Sequence, residues 1–145
     1  MATVREILAR KGSQVWSIGK DETVLQAAIL MNEHRIGALV VVDNDRITGM
    51  FTERDVLRRV VGEQREPAKT RVADVMSADV VCGTPATTLE EIRGAMKNRR
   101  IRHLPVVDDE GRLLGLISIG DLNAYEAACQ EQTIHFLHEY LYGRV

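Results

Sequence analysis

"RIGALVVVDNDRITGMFTERDVL", Arg35 to Leu57, returns further along the chain as "RIRHLPVVDDEGRLLGLISIGDL", Arg100 to Leu122, with Gly111 as the only insertion. The pairing extends outward from this stretch. "TVLQAAILM" at Thr23 recurs as "TLEEIRGAM" at Thr88, and "VREIL" at Val4 recurs as "VADVM" at Val72. The repeats span residues 4–62 and 72–127, joined by the polar segment "GEQREPAKTR" with its Pro67; residues 128–145 form a tail. Two copies of so long a unit suit a duplicated small domain whose halves pack together, rather than a solenoid.

Each copy carries the same order of signals. "VWSI" and "VVCG" are short β-prone runs, the second giving Cys82 the character of a buried small hydrophobe. A helix follows each, opened by the capping boxes Thr23-x-x-Gln26 and Thr88-x-x-Glu91. Val24, Ala27, Ala28 and Met31 form one apolar stripe, and Leu89, Ile92 and Met96 another. "ALVVVD" and "LPVVD" read as strands covered on both faces. A tight turn, a strand with a central glycine (Gly49, Gly115) and a helix from about Asp55 or Asp121 complete each unit. The expected fold is α/β, with β-α-β-β-α written twice.

Composition narrows the function. The chain has 145 residues, 45% of them hydrophobic and 28% charged, with a formal net charge of -2. That is the balance of a globular protein with no basic field to attract nucleic acid or anionic lipid. No apolar run reaches membrane-spanning length and the charged N-terminus resembles no secretory signal, so neither nucleic acid nor membrane is an expected partner. Cys82 and Cys129 form no CxxC pair, which points to a reducing, cytoplasmic compartment.

The phrases "RHLPVVD", a glycine in the next strand, and Thr/Ser-x-x-Asp at its end resemble the cystathionine-β-synthase (CBS) domain. The pair resembles a Bateman module over all but the tail. The resemblance implies two domains packed through their sheets about a pseudo-twofold axis, often dimeric through their helices, with adenine nucleotide held in the clefts between them. It also implies that each cleft draws on both halves. One would combine Ser118, Ile119, Gly120 and Asp121 with Trp16, Ile36, Gly37 and Ala38. The other would combine Thr52, Glu53, Arg54 and Asp55 with Val80, Val81 and Ile101. Arg102 and His103 match the family's phosphate contacts and are expected at both clefts. Gly37 and Ala38 stand in their places in the first copy, so the two clefts should differ, the Asp121 side holding phosphate more tightly.

The repeated hydroxyl-x-x-carboxylate phrase has two readings. Aspartate at a helix start is a favoured cap, contributing about 1 kcal/mol over alanine. Alternatively, a carboxylate accepts from both ribose hydroxyls while a nearby hydroxyl and helix N-terminus meet phosphate. Its appearance twice, within the resemblance, favours the ligand. Trp16 reads as packing more than as a stacking platform. Lys97 suits a helix C-terminus, whereas Arg99 and Arg100 stay open to either role. His135-x-x-His138 followed by Glu139 lacks a third metal ligand and reads as surface or interface, so no metal is expected.

The expectation is a regulatory sensor without catalysis, since no P-loop, GxSxG or HExxH occurs and His103 alone could serve as a base in the cleft. AMP, ATP or NAD(H) fit Arg102 and His103 better than S-adenosylmethionine, which has no phosphate. Its effect would reach an unidentified regulated protein or alter assembly. A ligand-free scaffold, or an enzyme using the nucleotide, are the rival classes. The tail stripe Ile134, Leu137 and Leu141, with Phe136 and Tyr140 beside it, predicts a homodimer.

Overall fold

The computed structural model describes residues 2–142, and the side chains of all of these except 136 and 138–142. The expected positions of Phe136, His138, Glu139, Tyr140 and Leu141 therefore lie outside the described side chains. In chain order the elements are α1 (Val4–Lys11), β1 (Ser17–Gly19), α2 (Val24–His34), β2 (Ala38–Asp43), β3 (Arg46–Thr52) and α3 (Glu53–Asp55), continued as a π-helix over Val56–Val61. The second half has α4 (Val72–Val75), α5 (Leu89–Arg99), β4 (His103–Val107), β5 (Leu113–Ser118) and α6 (Ile119–Tyr142). The tail is thus a continuation of the second half's last helix.

The repeat in sequence is a repeat in register. Val41 opposes Gly49 and Val106 opposes Gly115, and each hairpin breaks register just beyond those β2 and β4 residues. Arg35 and Arg100, which end α2 and α5, both take left-handed backbone with φ of 53°. One difference is the first strand. β1 pairs in parallel with β2, whereas "VVCG" makes only the single bridge Gly83–Val106. Gly83 is buried against Leu104, so the alternation of an extended chain turns Cys82 outward and leaves it exposed, contrary to its reading as a core residue.

The halves meet through their sheets. Val40 and Met50 of the first pack with Leu113 and Leu116 of the second. The equivalent residues Arg46 and Arg112 bridge one another in antiparallel fashion, as residues on a pseudo-twofold axis must. The opening segments, however, are exchanged. Val4 and Ile7 of α1 are buried in the second core with Ile92 and Leu104, while Val72 and Val75 of α4 complete the first core beside Val24 and Phe51. Backbone hydrogen bonds from Val4 N to Thr87 O (2.9 Å) and from Val72 N to Glu22 O (2.8 Å) fasten both crossings. Each sequence repeat therefore lends its first helix to the other's core.

Those crossings explain the mid-strand glycines. A Cβ on Gly49 would stand 2.7 Å from Met76 Sδ, and one on Gly115 2.7 Å from Leu8 Cδ2. What approaches each glycine is the crossing segment itself.

Candidate functional site

The helices after β3 and β5 start two residues earlier than the aspartates suggest. Thr52 is the N-cap of α3: its hydroxyl accepts from Asp55 N, and Asp55 Oδ2 accepts from Thr52 N at 3.0 Å. Ser118 and Asp121 repeat this, at 2.8 Å for Ser118 N to Asp121 Oδ2 and 3.0 Å for Asp121 N to Ser118 Oγ. Hydroxyl-x-x-aspartate is thus a capping box in both copies, with the hydroxyl as cap and the carboxylate returning from the third helical position. Thr23 and Gln26 make the full box too, while Thr88 only accepts from Glu91 N, the chain's start running beside it through a Thr3–Thr88 bridge.

Capping occupies one oxygen of Asp55, which is buried, and leaves the other for partners outside the helix. Its Oδ1 accepts from Ser77 Oγ at 3.2 Å and lies 3.8 Å from Arg59 Nε. Beyond it opens a cleft of about 540 Å³ between the halves. Thr52, Glu53, Arg54 and Asp55 form one wall, and Val80, Val81, Ile101, Arg102 and His103 the other, just as the cross-half expectation groups them. Gly37, Met50, Ser77, Asp79, Arg100 and Pro105 fill in the lining. The cleft therefore joins an apolar slot to guanidinium groups on both sides, beside a helix start and a carboxylate.

Arg102 lies on this Asp55 side, and the two residues ahead of β4 face the first half's α3 across the sheet interface. Burial first, then the Arg102 guanidinium, hold the His103 imidazole below the ordinary histidine range; Lys11 adds to this, while Asp121 and Glu53 pull the other way. At neutral pH His103 is therefore uncharged, a single N–H donor rather than an imidazolium.

The Asp121 side is built differently. Trp16, Ile36 and Ala38 line neither this cleft nor the smaller cavity, of about 280 Å³, that Asp121 shares with Ile7, Arg10, Lys11, Ala124, Tyr125 and Ala128. Trp16 stacks on His34 with ring centroids 3.5 Å apart, and Gly37 serves the other cleft, its α-carbon facing the Glu53 carboxylate. Lys11 donates to Asp121 Oδ2 at 2.7 Å. Burial alone would raise the Asp121 carboxyl, but hydrogen bonds from Lys11 and Ser118 outweigh it and hold the group below the usual carboxylate range. Arg102 thus lies on the Asp55 side, while His103, paired with Ser118 across the hairpin and influenced by Asp121, adjoins both, so the two residues do not single out the Asp121 side as expected.

Ser77 and Lys11, the two donors to the aspartates, escaped sequence reasoning because each belongs to a segment that crosses between halves. The signal for them was the pair of glycines, which announces a close neighbour without saying which. Among the described residues, no three His, Cys, Asp or Glu side chains gather as metal ligands do.

A duplicated β-α-β-β-α unit with a cleft between its halves is the arrangement of paired CBS domains, and the CBS-domain family model matches residues 4–62 and 72–127. The chain belongs to the CBS-domain family. It is 35% identical over 122 residues to the CBS domain-containing protein YhcV of Bacillus subtilis (strain 168), covering 84% of each chain. A solved CBS-domain protein from Burkholderia ambifaria MC40-6 superposes with a TM-score of 0.84 at 44% identity, over 88% of this chain and 95% of that one. The hexameric CBS-CP12 protein from bloom-forming cyanobacteria superposes with a TM-score of 0.73 at 29% identity, over 83% of this chain and 65% of that one. Among the described residues, no helix is long and apolar enough to cross a membrane.

Proposed function

We propose that this CBS-domain pair is a regulatory module that binds an adenine nucleotide, such as AMP, ATP or NAD(H), in the Asp55 cleft. The observation that carries the reading is the cleft's composition. Val80, Val81 and Ile101 supply an apolar slot, Asp55 and Thr52 a place for ribose, and Arg54, Arg100 and Arg102 forks of donors for phosphate. Bound ligand would touch both halves at once, favour one arrangement of them and shift the population towards it. The module signals without turning its ligand over: the hydroxyls that line the cleft, Thr52 and Ser77, are both bonded to Asp55 as part of the helix start and its support.

Assembly of more than one chain accompanies this reading. Leu57 and Val61 of the first half's last helix are 65% and 62% exposed, as are Ile134 (66%) and Leu137 (48%) on α6. Such apolar surface suits a homodimer interface, and the cyanobacterial relative assembles as a hexamer.

One observation favours a ligand-free scaffold: both aspartates have structural employment as helix caps. Calorimetry with AMP and adenosine separates the two. Arg102→Ala should weaken AMP about ten- to a hundredfold, the loss of one hydrogen bond to a charged group, and leave adenosine nearly unchanged. A folded wild-type protein that takes up neither compound would leave the scaffold standing.

A further inference from the structure

The two halves satisfy the same pair of acceptors with different chemistry. Beyond each covered glycine, the carbonyl of the next residue and the capping aspartate require donors from the crossing segment. In the first half Ser77 supplies both: its N–H donates to Met50 O at 2.9 Å and its hydroxyl to Asp55 Oδ1 at 3.2 Å. In the second half α1 does not end near Leu8 but continues to Lys11, three residues on and so on the same helical face. The Lys11 ammonium donates to Leu116 O at 2.6 Å and to Asp121 Oδ2 at 2.7 Å. A charged ammonium on a long stem thus stands where the other half has a small, neutral hydroxyl.

We propose that Lys11 is a built-in plug: its ammonium holds the Asp121 carboxylate and closes that half to nucleosides, so that each chain has one nucleotide site, at Asp55. The proposal rests on the nucleotide reading of the Asp55 cleft. A ribose diol needs the lone pairs and the charge of the carboxylate, and Lys11 at 2.7 Å engages Oδ2 and offsets the charge, a tighter ion pair than the 3.8 Å between Arg59 Nε and Asp55 Oδ1. Oδ2 is already the acceptor for Ser118 N. The plug is fixed from behind, since α1 is bound into the second core by Val4 and Ile7 and by the Tyr125 hydroxyl, which donates to Glu6 Oε2 at 2.8 Å. It is also removable, because the Lys11 and Asp121 side chains remain 31% and 24% exposed.

The test counts adenosine and AMP bound per chain by equilibrium dialysis, on the whole chain. Wild type should bind one. Lys11→Met, which keeps the aliphatic stem, should bind two, and Lys11→Gln serves as a second, polar variant with the same expected count. Adding Asp121→Asn to Lys11→Met should return the count to one. Two sites in wild type, one in both Lys11 variants, or a second site indifferent to Asp121→Asn would each overturn the plug. If wild type binds none, the Asp55 reading fails by itself. The plug then stands only if Lys11→Met gains a site that Asp121→Asn removes, and falls if it gains none.

Discussion

The carbonyl oxygen of Ser77 lies 2.8 Å from where a Cβ on Gly49 would stand. The second half has no such backbone obstacle among the nearest atoms: the three around Gly115 all belong to the Leu8 side chain. This gives equivalent glycines unequal tolerance. Gly115→Ala can be met by a rotamer change at Leu8, whereas Gly49→Ala must push apart the Met50–Ser77 pairing, whose two hydrogen bonds are each 2.9 Å. Gly49→Ala should cost about 1–3 kcal/mol, as overpacking does, and Gly115→Ala less. Urea unfolding of both variants checks the order, and equal losses would contradict it.

The exchange of first helices makes a second prediction. Ile7 is 2% exposed, and although it belongs to the first sequence repeat it is packed in the second core. Ile7→Ala should cost about 2–5 kcal/mol. Hydrogen exchange should show the loss in α5, β4 and β5 rather than in α2 and β2. Protection lost first in the first half would mean that the helices are not exchanged.

That exchange marks the limit of what could be read in the chain. Internal similarity, the apolar stripes of α2 and α5, and glycine in mid-strand were all legible, because each depends on local periodicity or on steric need. The partner of each glycine was not, since pairing "VREIL" with "VADVM" says that the two are alike and not which core either joins. The same ambiguity hid Lys11. Ser-x-x-Asp was visible, but an ammonium from the opposite repeat is non-local information. Likewise the "VVCG" run has strand propensity, yet it forms one bridge where β1 forms a ladder.

His103 makes stability depend on pH. Its folded pKa is lowered, chiefly by burial and by Arg102, so the unfolded chain takes up this proton first as pH falls. The group's contribution is complete above the unfolded value, about 6.5, and is lost as pH drops from there towards the folded value. Thermal unfolding followed from pH 7.5 to 5 (roughly the range around that pKa) should show declining stability, and His103→Gln should flatten the decline. An unchanged slope in the variant would place the titration elsewhere.

The exposed apolar residues predict the assembly. Leu57 and Val61 lie four apart on one helix and Ile134 and Leu137 three apart on another, so each pair presents a single apolar face. Light scattering should give twice the chain mass, and replacing Leu57 and Val61 with glutamate should yield folded monomers. A monomeric wild type at micromolar concentration would contradict the idea.

The two capping aspartates should separate their structural and ligand roles. Asp55→Ala and Asp121→Ala each remove the returning leg of a capping box, one hydrogen bond to the N-cap N–H, a loss of about 0.5–1.5 kcal/mol in both. Asp55→Ala additionally strands the Ser77 hydroxyl, and Asp121→Ala the Lys11 ammonium, which can turn to solvent because it is partly exposed. Unfolding without nucleotide should therefore rank Asp55→Ala as the more damaging. The larger contrast comes with AMP present. A ligand at a hundred times its dissociation constant stabilises the folded state by about 2.7 kcal/mol. Asp121→Ala should keep this increment nearly whole, because Lys11 already excludes ligand there. Asp55→Ala should lose most of it, because Asp55 lines the larger cleft together with Arg102. If the increment survives in Asp55→Ala, the repeated phrase is a helix cap in both copies and the nucleotide must be held without it.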